Sequence, residues 1–150
     1  MELELTDILL AAIEANPELV AVTGGRVYDT ANEVPPFMED NTPTPYFVVT
    51  DRGTNNEQGT KDYLWEGDID HCSASIIICG KTPREVRRLR RKVRKAVEDY
   101  IVGMANQGEK IPTLTASSTE GVGWDDLKPC YNDAITYQCD MEVLTEDNNE

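Results

Sequence analysis

The sequence predicts an α+β domain, an antiparallel β-sheet of about four strands covered on one face by one long helix and one or two short ones. Three observations lead there. Apolar residues recur at helical spacing near the N-terminus and again in a longer segment after Thr82. Runs between and after those segments alternate with the two-residue period of a pleated strand. The order, helices first, then extended runs, a long helix and further strands, lacks the strict alternation that builds a parallel sheet. With 150 residues, 39% of them hydrophobic, the chain can bury one core. Residues 1–145 are therefore expected to form one domain, with a frayed polar tail over 146–150.

Over residues 5–15, Leu5, Ile8, Leu9, Ala12 and Ile13 mark one face of a first helix. Asn16 followed by Pro17 suits the cap and first position of a short second helix, which Gly24 and Gly25 end. Residues 26–29 read as a brief extended segment, followed by an irregular loop carrying Pro35, Pro36, Pro43 and Pro45. The β-branched and aromatic run 46–51 predicts a strand, and the polar stretch 52–62 predicts a hairpin with an extended, exposed tip. The returning strand, 69–79, puts Cys72, Ala74, Ile76 and Ile78 on one face and His71, Ser73, Ser75, Ile77 and Cys79 on the other. Only the first of these faces is expected to be fully buried.

The long helix has the most complete local signals. Thr82 as cap, Pro83 at the first helical position and Glu85 three residues after the cap form a capping box. Val86, Leu89, Val93, Val97, Tyr100, Ile101 and Met104 then trace one apolar stripe. Beyond a Gly/Asn/Lys-rich connection, 113–119 is a weak strand. Residues 134–143 alternate clearly, with Ile135, Tyr137, Cys139, Met141 and Val143 inward and Thr136, Gln138, Asp140 and Glu142 outward. The uncovered sheet face is thus expected to carry Ser, Thr, Gln and acidic side chains.

Composition argues against most chemistry. No stretch approaches the roughly twenty consecutive apolar residues of a membrane span, so the protein is expected to be soluble, made in a cytoplasm and not bound to a membrane. Cys72, Cys79, Cys130 and Cys139 form no Cys-x-x-Cys pair, and His71 is the single histidine; they read as isolated thiols, with no metal site and no cofactor. Asp70 and Cys72 flank His71 but point to the opposite strand face, so a surface histidine is the plainer reading than an acid–base cluster. Gly24-Gly25 lacks the phosphate-loop pattern, and Gly121-Val122-Gly123 reads as an ordinary turn. Asp125, Asp126, Asp133 and Asp140 are too scattered for a calcium loop. No catalytic residue is assigned, and the chain is read as a non-enzyme.

Charge is more informative. Between Arg84 and Asp99 eight of the 14 basic residues face three acids, a local +5; the remaining 6 bases and 25 acids carry −19, which recovers the net −14. At about 100 degrees per residue, Arg84, Arg87, Arg88, Arg91 and Lys95 lie opposite the apolar stripe, while Arg90 falls within it. Arg90 can pack its stem on the core and snorkel outward, or pair with a carboxylate at a subunit boundary. The outward set is either a solvated face, a phosphate-binding stripe, or a surface that meets acidic residues of a neighbouring copy. The surrounding −19 opposes nucleic acid, and no aromatic residues interleave with the arginines, so the contact between copies is favoured over a nucleic-acid-binding module.

Three motifs carry a resemblance: Gly24-Gly25-Arg26-Val27-Tyr28-Asp29 after two helices, Thr44-Pro45-Tyr46-Phe47-Val48-Val49 opening a strand, and the run 75–79 leading into Thr82 and the arginine-rich helix. Together they resemble the tail-completion and head-tail joining family of tailed bacteriophages. Gly59-Thr60-Lys61-Asp62 with Trp65-Glu66-Gly67-Asp68 resembles versions of that family in phages of Bacteroides-like hosts. The resemblance spans residues 8–101 and rests on structural rather than catalytic motifs. It implies a virion protein made in the host bacterial cytoplasm, forming a ring, a hexamer, that caps the tail tube as a tail terminator or connector. Its partners would be copies of itself, the tail tube protein and the head-tail connector or adaptor, while DNA passes through the lumen without specific binding.

On that reading Arg84, Arg87, Arg88, Arg90, Arg91 and Lys95 are the subunit interface. Arg52, Thr54, Asn55, Asn56, Glu57, Gln58 and Lys61 form a loop reaching an adjacent ring, and Gln138, Asp140 and Glu142 face the lumen. The chain departs from the family in its acidity and in the Pro-rich loop 34–45.

Overall fold

The computed structural model describes residues 5–29, 45–57, 67–108, 114–116, 121–125 and 130–144. Among the described residues, three helices, α1 (Leu5–Glu14), α2 (Pro17–Thr23) and α3 (Pro83–Asn106), accompany six strands, β1 (Val27–Asp29), β2 (Tyr46–Glu57), β3 (Gly67–Gly80), β4 (Leu114–Ala116), β5 (Gly123–Asp125) and β6 (Cys130–Leu144). The strands form one sheet in the order β1-β2-β3-β6-β4, with β5 pairing the start of β6. The fold is α+β, with the helices on one face, as the order of elements predicts.

Local chemistry explains the helix ends. The Asn16 side chain accepts from the backbone N–H groups of Glu18 and Leu19 at 3.0 and 3.1 Å, capping α2 with Pro17 in its first turn. Gly24 closes that helix at φ 64°, a left-handed conformation that calls for glycine. At α3, Thr82 Oγ1 accepts from the Glu85 N–H at 3.1 Å. The Glu85 carboxylate reaches one residue further back than an ordinary capping box, to the Lys81 N–H at 2.8 Å. Gly80 leaves the space for it, since a Cβ there would fall 2.8 Å from Glu85 Oε1.

The inward stripes then build the core. Leu5, Leu9, Ala12 and Ile13 of α1, Leu19 of α2 and Val86, Leu89, Val93, Ala96 and Val97 of α3 pack on Phe47, Val49, Ala74, Ile76, Ile78, Ile135, Tyr137 and Cys139 of the sheet. Every residue of the predicted α1 face is buried, and Tyr100 and Ile101 extend the α3 stripe partly buried. Burying an aliphatic side chain of this size stabilises by about 1.5–3 kcal/mol, so this layer dominates the fold.

The sheet departs from expectation in three ways. First, it is mixed. β1 runs parallel to β2, with Val27, Tyr28 and Asp29 opposite Phe47, Val48 and Val49; a connection through residues 30–44 replaces the tight turn that an antiparallel neighbour would use. Second, the long strands outrun their apolar patterns. β2 continues to Glu57, through a bulge between Asp51 and Gly53, so Arg52, Thr54, Asn55, Asn56 and Glu57 belong to a strand and not to a hairpin loop. Gly53 takes φ 111° there and donates its N–H to Asp51 Oδ1 at 2.9 Å. The backbone ladder holds these polar residues, from Gly53↔Ser73 to Glu57↔Ile69. Gln58, Lys61 and the tip of the hairpin lie outside the described residues, as do most of the Pro-rich loop and the 146–150 tail.

Third, the sheet face away from the helices is not polar throughout. Tyr46, Val48, Cys79 and Cys130 are all buried there, with Tyr28 and Ile77 packed against them. Tyr28 and Tyr46 meet edge to face with ring centroids 6.0 Å apart. The expected polar residues occupy the next part of the same face, where Ser75 is buried and Thr136 partly so. Arg52 Nε donates to Ser75 Oγ at 2.9 Å, and Ser75 shares a 2.8 Å bond with Thr136 Oγ1. Gln138 follows, exposed.

Candidate subunit interface

The capping described above fixes the rotation of α3, and its apolar stripe fixes which side turns outward. As the helical period requires, Arg84, Arg87, Arg88, Arg91 and Lys95 are all exposed, and Arg94 lies exposed beside them. Among the described residues, Arg84, Arg87, Arg88 and Arg91 have no carboxylate within salt-bridge distance. Lys95 has only Asp99, one turn along, at 3.5 Å with both side chains largely exposed. Lys92 turns the other way, half-buried, and pairs with Glu18 of α2. Like charges three and four residues apart destabilise a helix by a few tenths of a kcal/mol per pair, so this stripe carries a cost that an acidic partner surface would offset.

Arg90 behaves differently. Its Nη1 donates to Asp133 Oδ2 at 2.6 Å, with the arginine side chain 23% exposed and the aspartate fully buried. The other carboxylate oxygen accepts the Ala134 N–H at 2.8 Å. The carboxylate that Arg90 needs is therefore supplied by β6 of its own chain, and the bond joins helix layer to sheet. Two aspartates of β6 thus differ in place: Asp133 is a core anchor, and Asp140 sits further along the strand at a two-residue step from Gln138.

The residues assigned to the lumen lie along β6. Gln138 is exposed on the face away from the helices, and Asp140 and Glu142 follow it in the strand, opposite His71 and Ile69 of β3. The register also sets Asn55 of β2 opposite His71. Across the ladder the position facing His71 on β6 is Asp140.

Beneath the basic face, the Tyr137 hydroxyl is buried with no hydrogen-bond partner among the described residues. Burial pushes its pKa up to about 12; the Arg94 guanidinium partly counters this and the Glu98 carboxylate adds to it. On the opposite sheet face, burial and the adjoining Cys79 and Cys130 thiols hold the Tyr46 hydroxyl well above the ordinary phenol range. Among the described residues no group of three His, Cys, Asp or Glu side chains could hold a metal ion, and no helix is long and apolar enough to cross a membrane. What the arrangement offers chemically is a rigid cationic strip on a well-anchored helix. In comparison with known proteins, the chain matches no family model and no curated sequence at significant similarity.

Proposed function

We propose that this chain is a non-enzymatic structural subunit of a phage neck, forming a ring of identical copies that caps the tail tube and joins it to the head-tail connector while DNA passes through. The observation that carries the reading is the exposed basic face of α3, where Arg84, Arg87, Arg88 and Arg91 meet no carboxylate among the described residues, in a chain whose remainder carries −19. A positive strip on one side and negative surface elsewhere is the arrangement that lets identical protomers dock head to tail and close a ring. Exposed acids on other elements, Asp7 and Glu14 on α1 and Asp51 on β2, are available to the neighbour. The resemblance of residues 8–101 to the tail-completion family supplies the location, and Gln138, Asp140 and Glu142 are assigned to a lumen where like charge keeps DNA sliding.

The same exposed arginines would also serve a nucleic-acid-binding module, and one experiment separates the two. Purified protein is imaged by electron microscopy and sedimented with and without DNA. The expected result is a ring with a central hole, lost when Arg87, Arg88 and Arg91 are all changed to Glu while the circular dichroism spectrum stays unchanged. A persistent monomer that binds DNA with affinity falling steeply in salt would replace the structural reading by the nucleic-acid one.

A further inference from the structure

Read along the sequence, the four cysteines stand apart. Across the sheet they come in two pairs, both linking β3 to β6, and the pairs differ in geometry. Cys72 and Cys139 are direct register partners. Opposed residues of an antiparallel ladder have Cα atoms about 4.5 or 5.5 Å apart, according to whether the pair is hydrogen-bonded, and both distances fall inside the range a disulfide spans. Cys79 faces Asn132 instead, so Cys130 is its diagonal neighbour. Diagonal positions lie about 7–8 Å apart, beyond what a disulfide bridges without backbone movement.

Access differs in the same sense. Cys72 is partly exposed at the margin of the main core, while Cys139 is buried at 3% exposure beside it, with Leu114 of β4 on its other side. Cys79 and Cys130 are both buried, at 0% and 2%, around the Tyr46 hydroxyl. None of the four is in a disulfide.

We propose that Cys72 and Cys139 form a thiol–disulfide exchange site whose co-substrate is a small disulfide of the glutathione type. The Cys72 thiolate, the accessible one, attacks a sulfur of the small disulfide; one thiol leaves and a mixed disulfide forms on Cys72. The Cys139 thiolate then attacks Cys72 Sγ, expelling the second small thiol and closing a cross-strand bond. Two protein thiols are oxidised by two electrons, the small disulfide is reduced to two thiols, and the two protons pass to them. The bond would clamp β3 to β6 where the long strands leave the packed core and continue to Glu57, Gly67 and Leu144.

The test incubates the full chain with oxidised glutathione, followed by peptide mapping by mass spectrometry without reduction and titration of thiols in denaturant. The expected product retains two of the four thiols, contains one linked peptide pair joining Cys72 to Cys139, and melts higher by on the order of 5 °C. The Cys79→Ser, Cys130→Ser double variant should give the same linked peptide. Cys139→Ser should stop at the mixed disulfide on Cys72, and Cys72→Ser should leave Cys139 unmodified. A mixed disulfide that persists on Cys72 in the unmutated chain, a Cys79–Cys130 link in its place, or no loss of thiols would overturn the proposal; mapping of the unmutated chain decides this even if a variant fails to fold.

Discussion

Two arginines on α3, Arg90 and Arg91, are neighbours in sequence and have opposite roles. Arg90 is drawn under the helix to a fully buried Asp133, and the two join α3 to β6. Arg91, with Arg84, Arg87 and Arg88, stands exposed with no carboxylate within reach among the described residues. A single 100 degree step of the helix separates a residue that serves the fold from one available to a partner. Composition therefore says little about an arginine-rich helix until each residue is assigned to a side, and substitutions on the two sides should separate stability from assembly.

The largest expected effect lies on the inward side. Arg90→Ala leaves the Asp133 carboxylate buried without its cation, and removing one member of such a pair costs about 3–5 kcal/mol. Urea unfolding, at a protein concentration too low for assembly, should register a loss of that size. Arg87→Ala should change stability by less than about 0.5 kcal/mol. Replacing Arg90 by Met and Asp133 by Leu together should recover most of the loss, because no uncompensated charge then remains inside. Equal effects of Arg90→Ala and Arg87→Ala would show that the two sides of the helix are not energetically distinct.

That inward pairing was half visible in the sequence. The helical period puts Arg90 within the apolar stripe, and an inward arginine requires an acceptor. Carrying the alternation of β6 back by one residue from Ala134 places Asp133 on the same face as Ile135 and Tyr137, where a carboxylate requires a cation. Periodicity does not join the two halves, because pairing between distant elements is a matter of register that it does not encode. The same limit hid the rest. In α1 and α3 one side is apolar and the other polar, so their buried residues were legible one by one. From Thr54 to Glu57, β2 has no apolar alternation, and backbone hydrogen bonds alone mark it as strand. β1 and β5 are each three residues long, too short for any period. The facing of Cys72 with Cys139 and of His71 with Asp140 follows only once β3 and β6 are aligned.

A middle-sized effect probes by pH the core that the inner side of α3 covers. Tyr137 lies buried under the helix with its hydroxyl unpaired among the described residues, and its pKa stands near 12 against an ordinary 10.0. Below pH 10 the phenol is neutral in both folded and unfolded chains and contributes no pH dependence. Between pH 10 and 12 the unfolded chain loses the proton and the folded chain keeps it, so stability falls as pH rises, by roughly 2–3 kcal/mol across the window. Tyr137→Phe removes this term and, near neutral pH, should alter stability by no more than about 1 kcal/mol, since no hydrogen bond to a described residue is lost. The difference between the two proteins, from urea midpoints at pH 8 and pH 11.5, isolates Tyr137 from Tyr46, which shifts in the same direction in both.

The smallest effect sharpens the contrast most. Lys95 and Asp99 form an ion pair on the same helix as Arg90 and Asp133, but at 3.5 Å and with side chains 76% and 66% exposed. Water screens such a pair, and one helical turn of spacing is worth about 0.3–0.5 kcal/mol. Lys95→Ala should therefore lower the stability of the isolated chain by no more than that, and the loss should shrink further in high salt. If Lys95 also meets an acidic surface on a neighbouring copy, the same substitution should weaken assembly by more than it weakens folding, because a contact desolvated between subunits is screened less than one facing water. Measuring both quantities on one variant compares a cation's value to its own helix with its value to the next protomer; equal and small changes in the two would leave Lys95 outside the interface.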